Sequence, residues 1–311
     1  MNILTLTLNP AFDLHCMADK FLTGHENTAR ILDYCAGGKG INISKLLNVC
    51  GVNNLCFAVL GEKNGAKFSE MLTAEGVTLR ALTVAGRIRE NVTVHTLTGE
   101  ETRLSFAGFE APPMLMRQVR SLLADELGGG DVLTLTGTLP KGLDVSEVKD
   151  FLADCTARGA RIVVESRSFS MEDMIELKPW LIKPNEEEIS HYLGREVTDF
   201  SDVTWEAKEL HYRGIANTMI SLGSRGALLA CDDGIFVATP PLSTAVSTIG
   251  AGDSTIGGFL AATKMGKPPR EALRYAVACG TASCLTEGTR PPRLSDVEII
   301  RGQIRIEQID A

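Results

Sequence analysis

Apolar and polar positions fall into two alternating patterns along this chain. Short continuous apolar runs of strand type begin with NILTLTL at the N-terminus. They return at LCFAVLG (55–61), DVLTLTG (131–137), RIVVES (161–166), WLIKPN (180–185) and NTMISLG (217–223). Between many of them the apolar residues recur at helical spacing, as in NGAKFSEMLTAEG (64–76), DVSEVKDFLADCTARG (144–159) and SDVTWEAKELHYRG (201–214). A longer helix is expected over 112–130, with a proline start and a glycine stop. Strand–helix alternation of this kind predicts an α/β fold with a mostly parallel sheet covered on both faces.

Two stretches break the rhythm. ENVTVHTLTGEETRLSF (90–106) has the Val, Thr and Leu content of strands and predicts a hairpin turning near Thr98 and Gly99. Residues 12–34 carry no helical pattern. Together, 12–34 and 87–108 predict a small β-layer beside the main sheet, either as plain excursions or as a lid over a ligand. The segment from Gly252 to Leu285 predicts two helices separated at Gly266, Pro268 and Pro269. No repeat or linker divides the chain, so 1–311 is expected to be one unit.

Composition narrows the classes. With 44% hydrophobic residues and a formal net charge of −8, the chain can bury a large core and lacks the basic face of a nucleic-acid binder. It shows no apolar run of the ~20 residues needed to span a bilayer. Eight cysteines are scattered without a C-x-x-C pair, which excludes a zinc pattern or disulfide framework and suits a reducing, cytoplasmic setting. The five histidines have no metal-ligand spacing.

Candidate chemistry sits where strands end, the place ligands occupy in open α/β sheets. In STIGAGDST (247–255), glycines Gly250 and Gly252 flank Ala251 before Asp253 at an expected helix start. Such a turn offers backbone N–H groups to an anion, and Asp253 could accept a proton from an attacking hydroxyl. An acid there could equally cap the helix. AGGKGINISKLL (36–47) opens a helix with glycines but departs from the Walker A pattern, since Gly40 follows Lys39 where Ser or Thr belongs. It is either a tight turn or a sugar-binding loop that includes Asn42. In KPNEEE, Asn185 and Glu188 stand three apart, as a Mg²⁺ pair or as the acids favoured in a first helical turn. Arg30, Arg87 and Arg89 are either solvated or a forked site for a phosphate.

In order and spacing, LTLNPAFD (6–13), GGKGIN (37–42), TGTLPKG (136–142), KPNEEE (183–188), SLGSRGAL (221–228) and STIGAGDST resemble the phosphofructokinase-B-type carbohydrate kinases, which have the ribokinase-like fold. The NPAxD opening, GRIRENV (86–92) and KPN are most similar to the branch acting on phosphorylated hexoses. The resemblance implies an ATP- and Mg²⁺-dependent transferase with a sugar alcohol as acceptor. Fructose 1-phosphate, converted to fructose 1,6-bisphosphate, is the expected substrate. A tagatose 6-phosphate kinase, a kinase of an unphosphorylated sugar and a catalytically silent binding regulator are the alternatives.

By the same resemblance, Asp253 is the base, and Gly250, Ala251 and Gly252 form the anion hole. Asp13, Gly38, Lys39, Asn42, Thr138, Arg89 and Arg30 bind substrate. Lys183, Asn185, Ser221, Gly223 and Gly226 serve ATP, with Asn185 and Glu188 at the metal. A monovalent cation and a homodimer paired through the lids are also implied. Glu165 departs from the family's usual aspartate, Thr138 from a serine, and Glu90 puts a negative charge beside Arg89.

Overall fold

The computed structural model describes residues 1–197, 199–242 and 244–309; residues 198, 243, 310 and 311 of the expected 1–311 unit lie outside that description. The chain opens with β1 (Ile3–Thr7), β2 (Ala11–Ala18), β3 (Arg30–Gly37) and α1 (Lys39–Val49). β4 (Leu55–Gly61), α2 (Gly65–Ala74), β5 (Leu79–Val84), β6 (Arg89–Thr96), β7 (Glu101–Ser105) and α3 (Leu115–Leu123) follow. Next come β8 (Val132–Thr136), α4 (Val145–Ala157), β9 (Arg161–Glu165), α5 (Met171–Leu177), β10 (Leu181–Ile182), α6 (Glu186–Leu193), α7 (Phe200–Tyr212) and β11 (Asn217–Ser221). β12 (Ala227–Cys231), β13 (Gly234–Thr239), α8 (Ala251–Lys264), α9 (Pro269–Ser283), α10 (Leu294–Gln303) and β14 (Arg305–Ile309) complete the described chain.

Ten strands form the large sheet, in the order β14-β13-β12-β11-β10-β9-β8-β1-β4-β5. From β5 to β11 every pairing is parallel, as the strand–helix alternation predicts. β12, β13 and β14 extend it antiparallel. Alternate residues feed opposite faces. Leu4 and Leu6 of β1 join the core beneath α3, α4 and α7, whereas Ile3 joins the core beneath α1, α8 and α9. The chain leaves β1 for β4 on one side and enters β8 on the other. That reversal opens a crevice at the carboxyl ends of β1 and β8.

The segments without helical pattern form a separate four-stranded sheet, β3-β2-β6-β7. Its hairpin turns at Gly99, whose N–H donates to Thr96 O at 3.0 Å. The expected helix over 112–130 is trimmed to Leu115–Leu123. Pro113 disfavours helical geometry in the residue before it, and Met114 takes φ 71° at the cap. At the other end the Asp131 carboxylate accepts from Gly128 N at 3.0 Å and holds the glycine run as a loop.

Helix α8 is clamped. A Cβ at Gly257 would stand 2.8 Å from Leu46 Cδ2 of α1, and one at Gly258 would stand 2.8 Å from Cys279 Sγ of α9. Glycine at these positions lets three helices close together, and an added methyl would overpack by about 1–3 kcal/mol. The start of α8 is thereby held at the crevice.

Candidate active site

Asp253 occupies the first turn of α8 and is buried, at 7% relative exposure. Its Oδ2 accepts from Asn42 Nδ2 of α1 at 2.8 Å, a bond that reaches away from its own helix. An acid serving as a cap would take that bond from its own first turn. The N–H groups of that first turn have no intrahelical acceptors; Ala251 N makes a long 3.4 Å contact with Thr248 O, and the turn as a whole faces outward as an anion site would. Burial, then the nearby Glu165 carboxylate, pushes the Asp253 carboxyl up to about 7, against the opposing pull of Lys39, Asn42 and Lys183. A carboxyl poised there is matched to accepting a proton near neutral pH.

Lys183 leaves β10 buried, and a Cβ at Gly252 would stand 3.1 Å from its Nζ. A second cation, Lys39 at the start of α1, ion-pairs with Glu165 at the end of β9. Burial tends to neutralise the Lys39 ammonium, but Glu165 and Asp253 outweigh this and raise its pKa. The turn before α1 has protein-internal reasons for its glycines. Gly38 adopts φ 130°, and a Cβ at Gly40 would stand 2.5 Å from Thr7 Oγ1.

On the small sheet, Asp13 of β2 and Asn91 of β6 are directly paired, and Asn91 Nδ2 donates to Asp13 Oδ1 at 2.8 Å. Burial raises the Asp13 carboxyl despite this bond. Arg89 lies two residues earlier on the same strand face, pulled down by burial and partly restored by Asp13. Asn9 donates through Nδ2 to Thr138 Oγ1 at 3.1 Å, joining the ends of β1 and β8. Around this crevice, Asn9 Oδ1, Asn42 Oδ1, Arg89 Nε, Asn91 Oδ1 and Glu165 Oε2 are buried without a partner. Buried polar atoms are ordinarily satisfied. Such a set describes a socket for a ligand rich in hydroxyl and anionic oxygens.

Beyond β10 and β11, Asn185 and Glu188 form a reciprocal capping box at the start of α6. Glu188 Oε1 also accepts from Arg167 Nε at 3.2 Å. Among the described residues no group of three His, Cys, Asp or Glu could hold a metal ion unaided. The pair nevertheless fits Mg²⁺ carried on phosphates, since that ion keeps waters and takes one or two carboxylates. Ser221 N donates to Pro184 O at 3.0 Å, tying the KPN and SLG segments together. Gly223 faces open space, whereas a Cβ at Gly226 would stand 1.9 Å from Ala238 O, so Gly226 shapes the turn.

Not every expected residue arrives. Arg30 starts β3 opposite Met17, seven residues from Gly37, which is about 23 Å along a strand. Arg87 is exposed and pairs weakly with Glu90 at 3.5 Å. The expected three-arginine fork therefore reduces to Arg89. Asn9 and Asn91 belong to the crevice but lie outside the residues assigned from motifs. Asn91 lies within the GRIRENV segment, but that segment carries it only as part of the resemblance and gives it no role of its own.

Residues 7–296 match the pfkB family carbohydrate kinases, and the chain belongs to that family. It is a phosphotransferase with an alcohol acceptor, and enzymes of this family draw the phosphoryl group from ATP with Mg²⁺. Among its relatives, the 1-phosphofructokinase of Haemophilus influenzae is 29% identical, with 99% of both chains covered. The 1-phosphofructokinase of Escherichia coli K12 is 33% identical over 89% of this chain and 88% of its own. Phosphofructokinase-2 from Escherichia coli, solved in complex with substrates and products, superposes with a TM-score of 0.92 at 27% identity, covering 97% of this chain and 99% of that one. A possible 1-phosphofructokinase from Thermotoga maritima, 21% identical with full coverage of both chains, shares the fold at a TM-score of 0.86.

Proposed function

We propose that this enzyme phosphorylates fructose 1-phosphate to fructose 1,6-bisphosphate. The observation that carries the proposal is Arg89, whose Nε is buried without a partner and whose charge is felt by Asp13. A guanidinium nitrogen buried without a partner calls for an acceptor, and a sugar phosphate supplies one. Asp13, Asn42 and Asn91 present oxygens and amides to sugar hydroxyls, with Gly38 and Thr138 lining the approach. The acceptor hydroxyl oxygen attacks the γ-phosphorus, its proton passes to Asp253, and ADP departs. The N–H groups of Gly250, Ala251, Gly252 and Asp253, with Lys183, stabilise the charge on the transferring oxygens.

Lys183, Asn185, Ser221 and Gly223 serve the nucleotide, with Gly226 holding their turn. Bound Mg²⁺ would neutralise phosphate charge, with Glu188 and Asn185 its protein neighbours. Phosphofructokinase-2 from Escherichia coli has been solved in complex with potassium, which supports a monovalent-cation dependence here. All eight cysteines are free, which suits a cytoplasmic enzyme.

ADP release with Mg-ATP and a panel of fructose 1-phosphate, tagatose 6-phosphate, fructose 6-phosphate, fructose and ribose tests the assignment. The highest kcat/KM is expected with fructose 1-phosphate. A tenfold preference for another member would replace it.

The small sheet is the lid, and it pairs with that of a second copy. Supporting this, its face opposite Asp13 leaves Ile31 at 67% and Leu104 at 44% exposure, with Phe106 exposed nearby. Exposed apolar patches of this kind mark interaction sites. Sedimentation should show a wild-type dimer, whereas the double variant Ile31→Asp, Leu104→Asp should sediment as a monomer. A dimer that survives both charges would place the interface elsewhere.

A further inference from the structure

Glu165 stands at the boundary between the acceptor and donor sides of the crevice. Its backbone is fixed there, because its carbonyl accepts from Gly137 N at 2.9 Å and so ties the end of β9 to the exit of β8. Its side chain is 10% exposed, with Oε1 on the Lys39 ammonium and Oε2 buried without a partner. Lys39 lies one helical turn before Asn42, on the same face of α1. Asn42 in turn holds Asp253. Glu165 with Lys39, and Asn42 with Asp253, are thus two bonded pairs presented from the same face of α1.

The charges explain why this arrangement needs an acid. Lys39 is at the first position of a helix, where the macrodipole disfavours a cation. Lys183 sits against the start of α8 nearby. Two ammonium groups and two helix N-termini concentrate positive charge in one crevice. A lysine on a flexible four-carbon stem would leave such a place unless held. The groups that face Asp253 are Glu165 from β9, Lys39 and Asn42 from α1, and Lys183 from the β10 exit.

We propose that Glu165 is a positioning residue for phosphoryl transfer: it braces Lys39 so that the ammonium stays beside Asp253, where acceptor hydroxyl and phosphoryl donor meet. The proposal rests on the kinase activity of this site and adds a residue to it. With Glu165→Gln, kcat falls about 10- to 100-fold, the scale of a misplaced reacting group, while KM for the sugar phosphate changes less than about threefold. The acid limb of the pH–rate profile moves less in Glu165→Gln than in Lys39→Met, because the repelling anion beside the base and the braced cation are lost together and their effects on Asp253 oppose each other. It moves to higher pH in Lys39→Met, because an attracting cation is gone. Glu165→Asp keeps the charge and loses reach, so its acid limb stays near that of wild type while kcat recovers in part.

A readout independent of turnover accompanies these profiles. Brief acetic anhydride labelling at pH 8, read by peptide mass spectrometry, should modify Lys39 several-fold faster in Glu165→Gln than in wild type. Equal labelling, or a wild-type kcat in Glu165→Gln, overturns the proposal. Absence of wild-type turnover on every sugar phosphate would overturn the substrate assignment instead, and the labelling result would still decide whether Glu165 holds Lys39.

Discussion

Asp253→Asn lowers kcat by about 10²- to 10⁴-fold, the usual contribution of a general base. Asparagine preserves the size of the side chain, and its amide oxygen can still accept from Asn42 Nδ2, so the helix start and the socket stay as they are. What disappears is the proton acceptor. KM for the sugar phosphate should stay within a few-fold, because Asp253 acts on the hydroxyl as it attacks rather than on the resting sugar. The pH–rate profile carries a second mark. Activity of the wild type falls as pH drops through about 7, where the raised Asp253 carboxyl takes up its proton. The residual activity of the variant should lack that limb. Folding should not suffer, since the variant removes a buried carboxylate whose ionisation opposes folding as pH rises. Steady-state kinetics from pH 5.5 to 9, with a thermal melt, check all of this. Unchanged turnover would reduce Asp253 to an element of α8.

Arg89→Ala should lower kcat/KM for fructose 1-phosphate by about 10- to 100-fold, mostly through KM, as expected for losing hydrogen bonds between charged groups. The same change should leave the poor activity on fructose nearly untouched, so discrimination between phosphorylated and unphosphorylated sugar collapses. Arg89→Lys should recover little, because an ammonium cannot reproduce a planar fork. Parallel kinetics on fructose 1-phosphate and fructose give the answer. Equal losses on both sugars would mean that Arg89 supports the small sheet rather than the phosphate.

Much of this enzyme is legible in its sequence where local pattern and final environment coincide. β1, β8 and β9 are buried on both faces, so continuous apolar runs announce them. The break at Gly266 to Pro268 is covalent in origin and falls between α8 and α9 as expected. β5 and β14 escaped notice because both are edge strands with exposed polar residues, such as Arg80 and Glu307, in place of an apolar run. The β12–β13 hairpin turns on Asp232 and Asp233, short of any helical spacer, and so falls outside a strand–helix alternation.

The GAGD stretch advertises itself, yet only the bond from Asn42 separates base from cap. Arg30 and Arg89 look equivalent along the chain. Strand direction separates them, since β3 starts far from the crevice and β6 starts at it. Asn185 and Glu188 form the helix cap that one reading expects, and the cap does not compete with the proposed metal role, because each Glu188 carboxylate oxygen keeps a second lone pair.

The glycine contacts that lock α8 between α1 and α9 have a further consequence. They make the base a stationary reference rather than a travelling part. On the proposed assignment, accommodation of a longer, shorter or differently phosphorylated sugar then falls mainly to Asp13, Arg89 and Asn91, which ride on the other sheet. Specificity and turnover are thereby housed in separable modules. On that assignment, changes confined to the four strands of the small sheet would alter which sugar is accepted and leave the transfer chemistry alone.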